Sequence, residues 1–282
     1  MVIEYPITLA RVTTTVHTDA MAALETIDKG RCTDEHPVPL LFVHGGCHAA
    51  WCWDDGFLDF FADRGFRAVA LSLRGHGQSP IAKSLHRCSI ADYVDDVAAA
   101  ADSLDTPPVV VGHSLGGFTI QHYLATHPSP AGVLLASVPP RGVAGASMRV
   151  MRKHPAIAVR SNFTAGPKGI FLPPMTRETL FSSGTPQEIV DACAVRIGQD
   201  SLRAVWFDAM IRLPKPTRVS APMLVLGGAD DGTITNAEVH ATALAYGTEA
   251  ELFPNMGHNM MLEPGWPAVA QRIKNWLGER RL

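Results

Sequence analysis

Short apolar runs alternate with segments of helical length along most of this chain, and that alternation constrains the fold more than any other feature. The apolar runs lie at residues 39–45, 67–73, 109–111, 131–138, 222–228 and 251–254. The helix-length segments lie at residues 54–64, 90–104, 118–127, 236–246 and 267–277. Strands and helices in this order predict an α/β fold whose sheet is mostly parallel and covered by helices on both faces. Such sheets carry their sites in loops at the carboxyl ends of the strands.

Two regions depart from the alternation. Near the beginning of the chain, the segments ITLARVTT and ALETIDK predict an antiparallel edge to the sheet. A proline-rich interval has no clear buried strand, and a structureless loop of that length is uncommon. We therefore predict a helical insertion over residues 139–221, between core parts at 1–138 and 222–282. Inside it, Thr185 as N-cap and Pro186 as first helical residue predict a helix.

Composition excludes several classes of protein. Apolar residues make up 46% of the chain, which supplies a sizeable core, and 24 basic against 27 acidic side chains give a net charge of −3. The sequence contains no basic run typical of nucleic-acid binding and no apolar stretch long enough to span a membrane. The first residues lack the pattern of a secretory signal, and the five scattered cysteines do not form a disulfide framework. These features predict a cytoplasmic protein with a small-molecule partner.

The stretch VVVGHSLGGFTI, residues 109–120, carries the clearest chemical signal. Its three valines are typical of a strand buried on both faces, and a helix-length segment follows, so Ser114 stands on the bend between them. Glycines on either side leave room for a turn so tight that Cβ atoms would collide. A nucleophile held clear of the backbone needs this arrangement, and G-x-S-x-G in this context predicts that Ser114 is one.

A serine nucleophile needs a neighbouring imidazole to take its proton, and the chain has twelve histidines. His258 lies in a loop after the run at 251–254 and before the last helix, where a base would meet Ser114. His113 is expected to face away, because neighbouring strand residues point to opposite faces. His44 ends a strand and His76 sits in a turn. Both are expected to fix loops.

The imidazole in turn needs a carboxylate to hold its tautomer. The loop GGADDGTI offers Asp230 and Asp231, and from the residues alone both remain open. The run at 131–138 ends without an acid, which removes one alternative position. The order serine, aspartate, histidine along the chain is that of the α/β-hydrolases.

The remaining requirement is an oxyanion hole made of backbone N–H groups. The Leu115 N–H opens a helix and gains from the helix dipole. The loop HGGC can supply the second donor, because Gly45 and Gly46 let its backbone approach a substrate closely.

Five segments together resemble the α/β-hydrolase superfamily over nearly the whole chain: VHGGCHAAWCW, SLRGHGQS, VVVGHSLGG, LVLGGADDGTIT and MGHNMMLEP. The resemblance implies a mostly parallel eight-stranded sheet with a helical cap inserted after the sixth strand. It implies Ser114 as nucleophile, His258 as base, and N–H donors at Gly46 and Leu115. The family's acid comes three residues after the glycine that closes its strand, which gives Asp231 and leaves Asp230 as the alternative.

The resemblance points to more than one branch of the superfamily. VHGGCHAAWCW is similar to plant methylesterases and hydroxynitrile lyases, whereas SLRGHGQS is similar to bacterial esterases, haloperoxidase-like enzymes and carbon–carbon bond hydrolases. Ser114 excludes the dehalogenase and epoxide hydrolase chemistries that use an aspartate there. The lyases carry threonine and lysine where this chain has Gly45 and Asn259, which favours ester hydrolysis.

We therefore predict a serine carboxylesterase that acts on a small to medium apolar ester through an acyl-enzyme, without cofactor or metal. A carbon–carbon bond hydrolase or hydroxynitrile-lyase-like enzyme on the same triad is the alternative, and a slow-turnover ligand receptor is a second. Apolar side chains of the insertion are expected to divide between its own core and the lining of an apolar pocket. They are Met148, Met151, Phe163, Phe171, Leu172, Met175, Phe181, Trp206, Phe207 and Met210.

Overall fold

The computed structural model describes residues 23–153 and 173–282. Its strands are β1 (Thr26–Lys29), β2 (Leu40–Val43), β3 (Ala68–Leu71), β4 (Val109–His113), β5 (Gly132–Leu135), β6 (Met223–Gly228) and β7 (Ala250–Phe253). Its helices are α1 (Phe57–Ala62), α2 (Ile90–Asp102), α3 (Ser114–Leu124), α4 (Ala144–Lys153), α5 (Pro173–Leu180), α6 (Gln187–Arg196), α7 (Asn236–Ala245) and α8 (Trp266–Gly278). Short helical turns occur at Ala50–Trp53, Leu85–Arg87, Arg203–Asp208, Ala209–Ile211 and Pro216–Arg218.

The strands form one sheet in the order β1-β3-β2-β4-β5-β6-β7. β1 pairs antiparallel with β3, and every other neighbouring pair is parallel. The chain moves outward from β2 to β3 and then returns to place β4 on the other side of β2. The boundary between β2 and β4 is therefore the point at which the strand order reverses, where open α/β sheets bind their ligands.

Strands β2 to β6 are buried on both faces, which explains why they are continuous apolar runs. In β2, Leu40 and Phe42 join the hydrophobic cluster that includes α1 and α8. Leu41 and Val43, on the opposite face, join the cluster that includes α2, α3 and α7. All four side chains are at most 1% exposed.

The predicted fold class is confirmed, with one correction in the strand count. The described residues contain seven strands, whereas eight were predicted. ALETIDK supplies the predicted antiparallel edge as β1. The other predicted edge segment, ITLARVTT, lies outside the described residues.

Between β5 and β6 the described residues carry helices and no strand. Residues 154–172 of this interval lie outside the description, and the domain boundaries at 138/139 and 221/222 stay predictions. The predicted cap of α6 is wrong: the helix begins at Gln187 without a side-chain cap. The Thr185 hydroxyl donates instead to the Glu263 carboxylate. Among the described helices, none combines the length and apolarity required to cross a bilayer.

Candidate active site

Four loops meet at the edge of the sheet formed by the carboxyl ends of the parallel strands. They follow β2, β4, β6 and β7, which share one direction. The loop after β2, residues 44–48, is called the glycine loop below. Because β2 and β4 are adjacent, the glycine loop lies beside the bend that carries Ser114.

Ser114 stands between β4 and α3 with a φ of 50°, a left-handed conformation that is uncommon for a residue with a side chain. Glycine is required around Ser114 because other atoms approach these positions too closely for a Cβ, not because the backbone needs flexibility. A Cβ on Gly112 would lie 2.7 Å from the Gly116 carbonyl oxygen, and one on Gly117 would lie 2.6 Å from Ser137 Cβ. The predicted crowding at the bend is confirmed.

A chain of hydrogen bonds runs from Asp231 through His258 to Ser114. His258 Nδ1–H donates to Asp231 Oδ2 at 2.8 Å, and the Ser114 hydroxyl donates to His258 Nε2 at 2.9 Å. A carboxylate accepts and does not donate, so the bond to Asp231 fixes the proton on Nδ1 and leaves Nε2 as acceptor. This tautomer allows the ring to receive the serine proton.

The structure brings Asp231, rather than Asp230, to the histidine. The second oxygen of Asp231 accepts the backbone N–H groups of Thr233 at 2.7 Å and Ile234 at 2.9 Å. Its side chain is fully buried, whereas Asp230 is exposed. Every partner of the Asp231 carboxylate is a donor, which suits its charged form.

The two predicted oxyanion donors lie on either side of the Ser114 bend. Leu115 is the second residue of α3, so its N–H belongs to the first turn, whose N–H groups have no partner within the helix. A Cβ on Gly46 would lie 4.0 Å from Leu115 Cβ, which places the two residues side by side. A Cβ on Gly45 would lie 3.0 Å from Ser114 Cβ, so the glycine loop has no room for a side chain at that position.

Two neutral histidines hold the glycine loop. His44 Nδ1–H donates to the Gly45 carbonyl at 2.8 Å, while its Nε2 accepts the Leu73 N–H at 3.0 Å. His48 Nδ1–H donates to the Gly46 carbonyl at 2.8 Å, while its Nε2 accepts from the Asn259 amide at 3.2 Å. Burial lowers the pKa of His44 to about 3 and that of His48 to about 4. One donor and one acceptor per ring match the neutral form.

His113 lies under the site and does not face away from it as predicted. Its Nε2–H donates to the backbone carbonyl of His258 at 3.0 Å, and the two ring centroids are 4.7 Å apart. Burial holds its pKa well below the ordinary value. Side chains alternate in a strand interior, but His113 is the last residue of β4, and its ring packs against the loop that carries His258.

Sequence reasoning missed a buried carboxylate that holds the loop of His258. Glu263 accepts the Gly257 N–H at 2.8 Å and the Ser182 N–H at 2.6 Å, and so joins this loop to the end of α5. It also accepts from the hydroxyl of Thr185. Glu263 and His48 both belong to segments that the sequence analysis singled out, but nothing in their local pattern indicates these long-range partners.

The apolar side chains named in the insertion differ in exposure, and their division between a core and a pocket lining stays a prediction. Trp206 is half-buried. Met175 and Phe181 are buried, whereas Met148, Phe207 and Met210 are exposed. Met151, Phe163, Phe171 and Leu172 fall where side chains are not described. Within residues 23–153 and 173–282, no three His, Cys, Asp or Glu side chains are grouped so that they could hold a metal ion.

Several known proteins are similar to this chain in sequence or in structure. A bifunctional esterase/perhydrolase from Acinetobacter calcoaceticus is 39% identical over 107 residues, and this chain spans 38% of that protein's length. The matched residues are 36% of this chain. A monoacylglycerol lipase from Mycolicibacterium smegmatis is 24% identical over 244 residues, 77% of this chain and 80% of the lipase.

Among solved structures, a thermophilic esterase from Thermogutta terrifontis superimposes with a TM-score of 0.73 at 22% identity. The alignment covers 92% of this chain and 94% of that esterase, and at this identity it shows a shared fold. The model of the alpha/beta hydrolase family matches residues 40–271, which include all four loops of the site. With that match over most of its length, the chain belongs to the alpha/beta hydrolase family.

Proposed function

We propose that this hydrolase is a serine carboxylesterase in which Ser114 is the nucleophile, His258 the general base and Asp231 the residue that orients it. The observation that carries the proposal is the unbroken chain of hydrogen bonds from Asp231 Oδ2 to the Ser114 hydroxyl. A serine hydroxyl becomes a competent nucleophile when a correctly held imidazole takes its proton. The tautomer that Asp231 imposes on His258 meets this condition.

The reaction follows from these three positions. Ser114 Oγ attacks the ester carbonyl while its proton passes to His258 Nε2, and the resulting imidazolium is stabilised by Asp231. The tetrahedral intermediate collapses when His258 returns the proton to the leaving alcohol, which leaves an acyl group on Ser114. Water then attacks the acyl-enzyme with His258 again as base, and the acid is released. No cofactor or metal enters these steps.

The negative charge of the intermediate is held by the N–H groups of Gly46 and Leu115. Leu115 lies at the N-terminus of α3, whose dipole favours an anion. The short contact between a Cβ on Gly45 and Ser114 supports the view that position 45 is kept free of a side chain to leave room for this intermediate.

The substrate class we propose is an uncharged ester with an apolar acyl or alcohol part. Two relatives named esterase/perhydrolase and monoacylglycerol lipase support an ester substrate. The exposed Met148, Phe207 and Met210 support an apolar one, because they lie between β5 and β6, where the family resemblance expects a cap.

Asn259 favours hydrolysis over cyanide elimination. It follows His258 at the position where the lyases carry a lysine, and its Nδ2 donates to His48 Nε2 at 3.2 Å. A neutral amide engaged in this way offers no positive charge to a departing cyanide.

The test compares three purified proteins on p-nitrophenyl esters of rising chain length. Ser114→Ala is expected to lower kcat by several orders of magnitude, because triad members act as a unit. Ser103→Ala, a change at an exposed serine at the end of α2, is the matched control and keeps full turnover. Labelling of the Ser114→Ala protein by a fluorophosphonate at the wild-type rate would refute the assignment of the nucleophile.

Two further measurements separate the alternatives. Serine-dependent cyanide release from mandelonitrile without ester turnover would identify a lyase in place of an esterase. Stoichiometric retention of a ligand with negligible turnover would identify a receptor.

A further inference from the structure

We propose that Asp200 is the positioning residue of the oxyanion hole: its carboxylate fixes the glycine loop so that the Gly46 N–H faces the developing charge. The proposal rests on the proposed function, because it assigns a role within the same site. Asp200 lies between β5 and β6, far in sequence from both β2 and Ser114.

The glycine loop contains a strained residue, Cys47, whose backbone conformation needs support from hydrogen bonds. Cys47 has a φ of 64°, in the left-handed region that disfavours a residue with a Cβ. Both backbone polar groups of Cys47 are bonded to the same short segment of the interval between β5 and β6. The Gly198 N–H donates to the Cys47 carbonyl at 2.8 Å, and the Cys47 N–H donates to Asp200 Oδ2 at 2.9 Å.

The carboxylate that accepts the Cys47 N–H is itself fixed from several sides. Asp200 is 1% exposed, and its Oδ1 accepts the Tyr93 hydroxyl at 3.0 Å and the Ser201 N–H at 2.6 Å. His76 Nε2 lies 3.4 Å from Oδ2. Burial alone raises the pKa of Asp200, but the charge of His76 and the backbone donors hold it below its ordinary value. The pKa of His76 is raised by the same contact, against the effect of burial.

The position of the Asp200 carboxylate indicates that it acts on the glycine loop and not directly on the reacting atoms. A Cβ on Gly46 would lie 3.3 Å from Asp200 Oδ2 and 4.0 Å from Leu115 Cβ, so the carboxylate reaches the glycine loop beside the second oxyanion donor. A bare carboxylate there would oppose the developing oxyanion. The hydroxyl of Tyr93 and the backbone N–H groups of Ser201 and Cys47 donate to the Asp200 carboxylate and offset that charge, so Asp200 can hold the Cys47 peptide with less repulsion of the intermediate.

The distribution of donors predicts what asparagine would do at this position. Each carboxylate oxygen serves one backbone N–H: Ser201 on Oδ1 and Cys47 on Oδ2. An asparagine keeps only one acceptor oxygen, so one of these N–H groups loses its partner in either orientation. The bond that remains is neutral and weaker than the charge-assisted one.

The test uses Asp200→Asn and the matched variant Asp96→Asn. Asp96 is equally buried, and it accepts the Arg74 N–H at 2.9 Å and is paired with the Arg74 guanidinium. It shares with Asp200 a buried carboxylate and a backbone N–H donor, but that donor belongs to Arg74, outside the glycine loop. Active sites are counted by the end point of fluorophosphonate labelling, so that partial unfolding does not mimic a loss of rate.

Asp200→Asn is expected to lower kcat per active site about 10- to 100-fold with KM within about twofold, because displacing a donor costs less than removing one. The rate constant for fluorophosphonate labelling falls by a similar factor, and a phenylboronic acid, which mimics the tetrahedral intermediate, binds more weakly. Asp96→Asn keeps kcat per active site even if it lowers Tm. Equal kcat for wild type and Asp200→Asn, or equal losses in both variants, would overturn the proposal.

Failure of this inference is distinguishable from failure of the proposed function. If the wild type hydrolyses no ester but labels with the fluorophosphonate, the esterase proposal fails and the labelling rates still decide the role of Asp200. If the wild type neither hydrolyses nor labels, both proposals fail. If Asp200→Asn does not fold, Tyr93→Phe removes one donor to the carboxylate and should lower kcat a few-fold at unchanged KM. An unchanged kcat in Tyr93→Phe would then overturn the inference.

Discussion

Acidification from pH 7 to pH 5 should weaken this protein through histidines that are buried in their neutral form. His44 and His48 are each at most 3% exposed, and burial lowers their pKa values to about 3 and about 4. In the unfolded chain both rings return to a pKa of about 6.5. Between these values the unfolded chain binds protons that the folded chain does not.

The sign and size follow from proton linkage. Where the unfolded state binds more protons, stability rises with pH, so the contribution of each ring is present above pH 6.5 and is lost as the pH falls towards the folded pKa. From pH 7 to pH 5 each ring costs about 2 kcal/mol, and the pair about 4 kcal/mol, of the free energy of unfolding. His113, whose pKa is also lowered, acts in the same direction. His76 opposes them, because its raised pKa gives stability that is complete at low pH and lost as the pH rises.

Urea unfolding at pH 7, 6 and 5, followed by tryptophan fluorescence, measures this effect through the midpoint and the slope m. His48→Gln keeps a donor and an acceptor but cannot titrate, so its loss of stability between pH 7 and pH 5 should be about 2 kcal/mol smaller than that of the wild type. His240→Gln, a change at an exposed histidine, is the control and should leave the loss unchanged. Equal free energies of unfolding at pH 7 and pH 5, or an unaltered loss in His48→Gln, would refute the reasoning.

Three further predictions concern single residues. Asp231→Asn should lower kcat by about four orders of magnitude, and Asp230→Asn should lower it less than tenfold, because only the first change alters the imidazole tautomer. Ester hydrolysis assays compare the two variants, and a larger loss in Asp230→Asn would show that Asp230 is the acid. Glu263→Gln should cost about 1–3 kcal/mol in urea unfolding, because a neutral amide replaces a buried carboxylate that accepts two backbone N–H groups and two hydroxyls; an unchanged midpoint contradicts this. Gly116→Ala should lower Tm by several degrees, because its Cβ would press on two backbone carbonyls at the end of β2. Gly184→Ala, with no atom within 4 Å of its Cβ, is the matched control.

Local sequence determined much of the sheet. The three valines of β4 and the apolar run of β2 predicted buried parallel strands, because a strand covered on both faces has no need of polar residues. Gly112 beside Ser114 predicted a tight bend for an equally local reason, since its Cβ would collide with Gly116 and Gly117 in the same turn. These features depend on neighbours a few residues away, so a single sequence reveals them.

Local sequence patterns were less reliable where the hydrogen-bond partner of a side chain is distant in sequence. Thr185 matched a helix cap, yet its hydroxyl donates to Glu263. His113 matched strand alternation, yet it supports the loop of His258. In both cases a local rule competed with a long-range hydrogen bond that the rule does not include.

The sequence by itself therefore determined the α/β class, the bend at Ser114 and the loops from which an acid and a base would come. Only the tertiary structure shows that the side chain of Asp231, and not that of Asp230, reaches His258 across the edge of the sheet. Only the tertiary structure brought Asp200 to the backbone of the glycine loop. The physical reason is the same for both: a buried carboxylate must find donors, and those donors come from segments that are close only after the chain has folded.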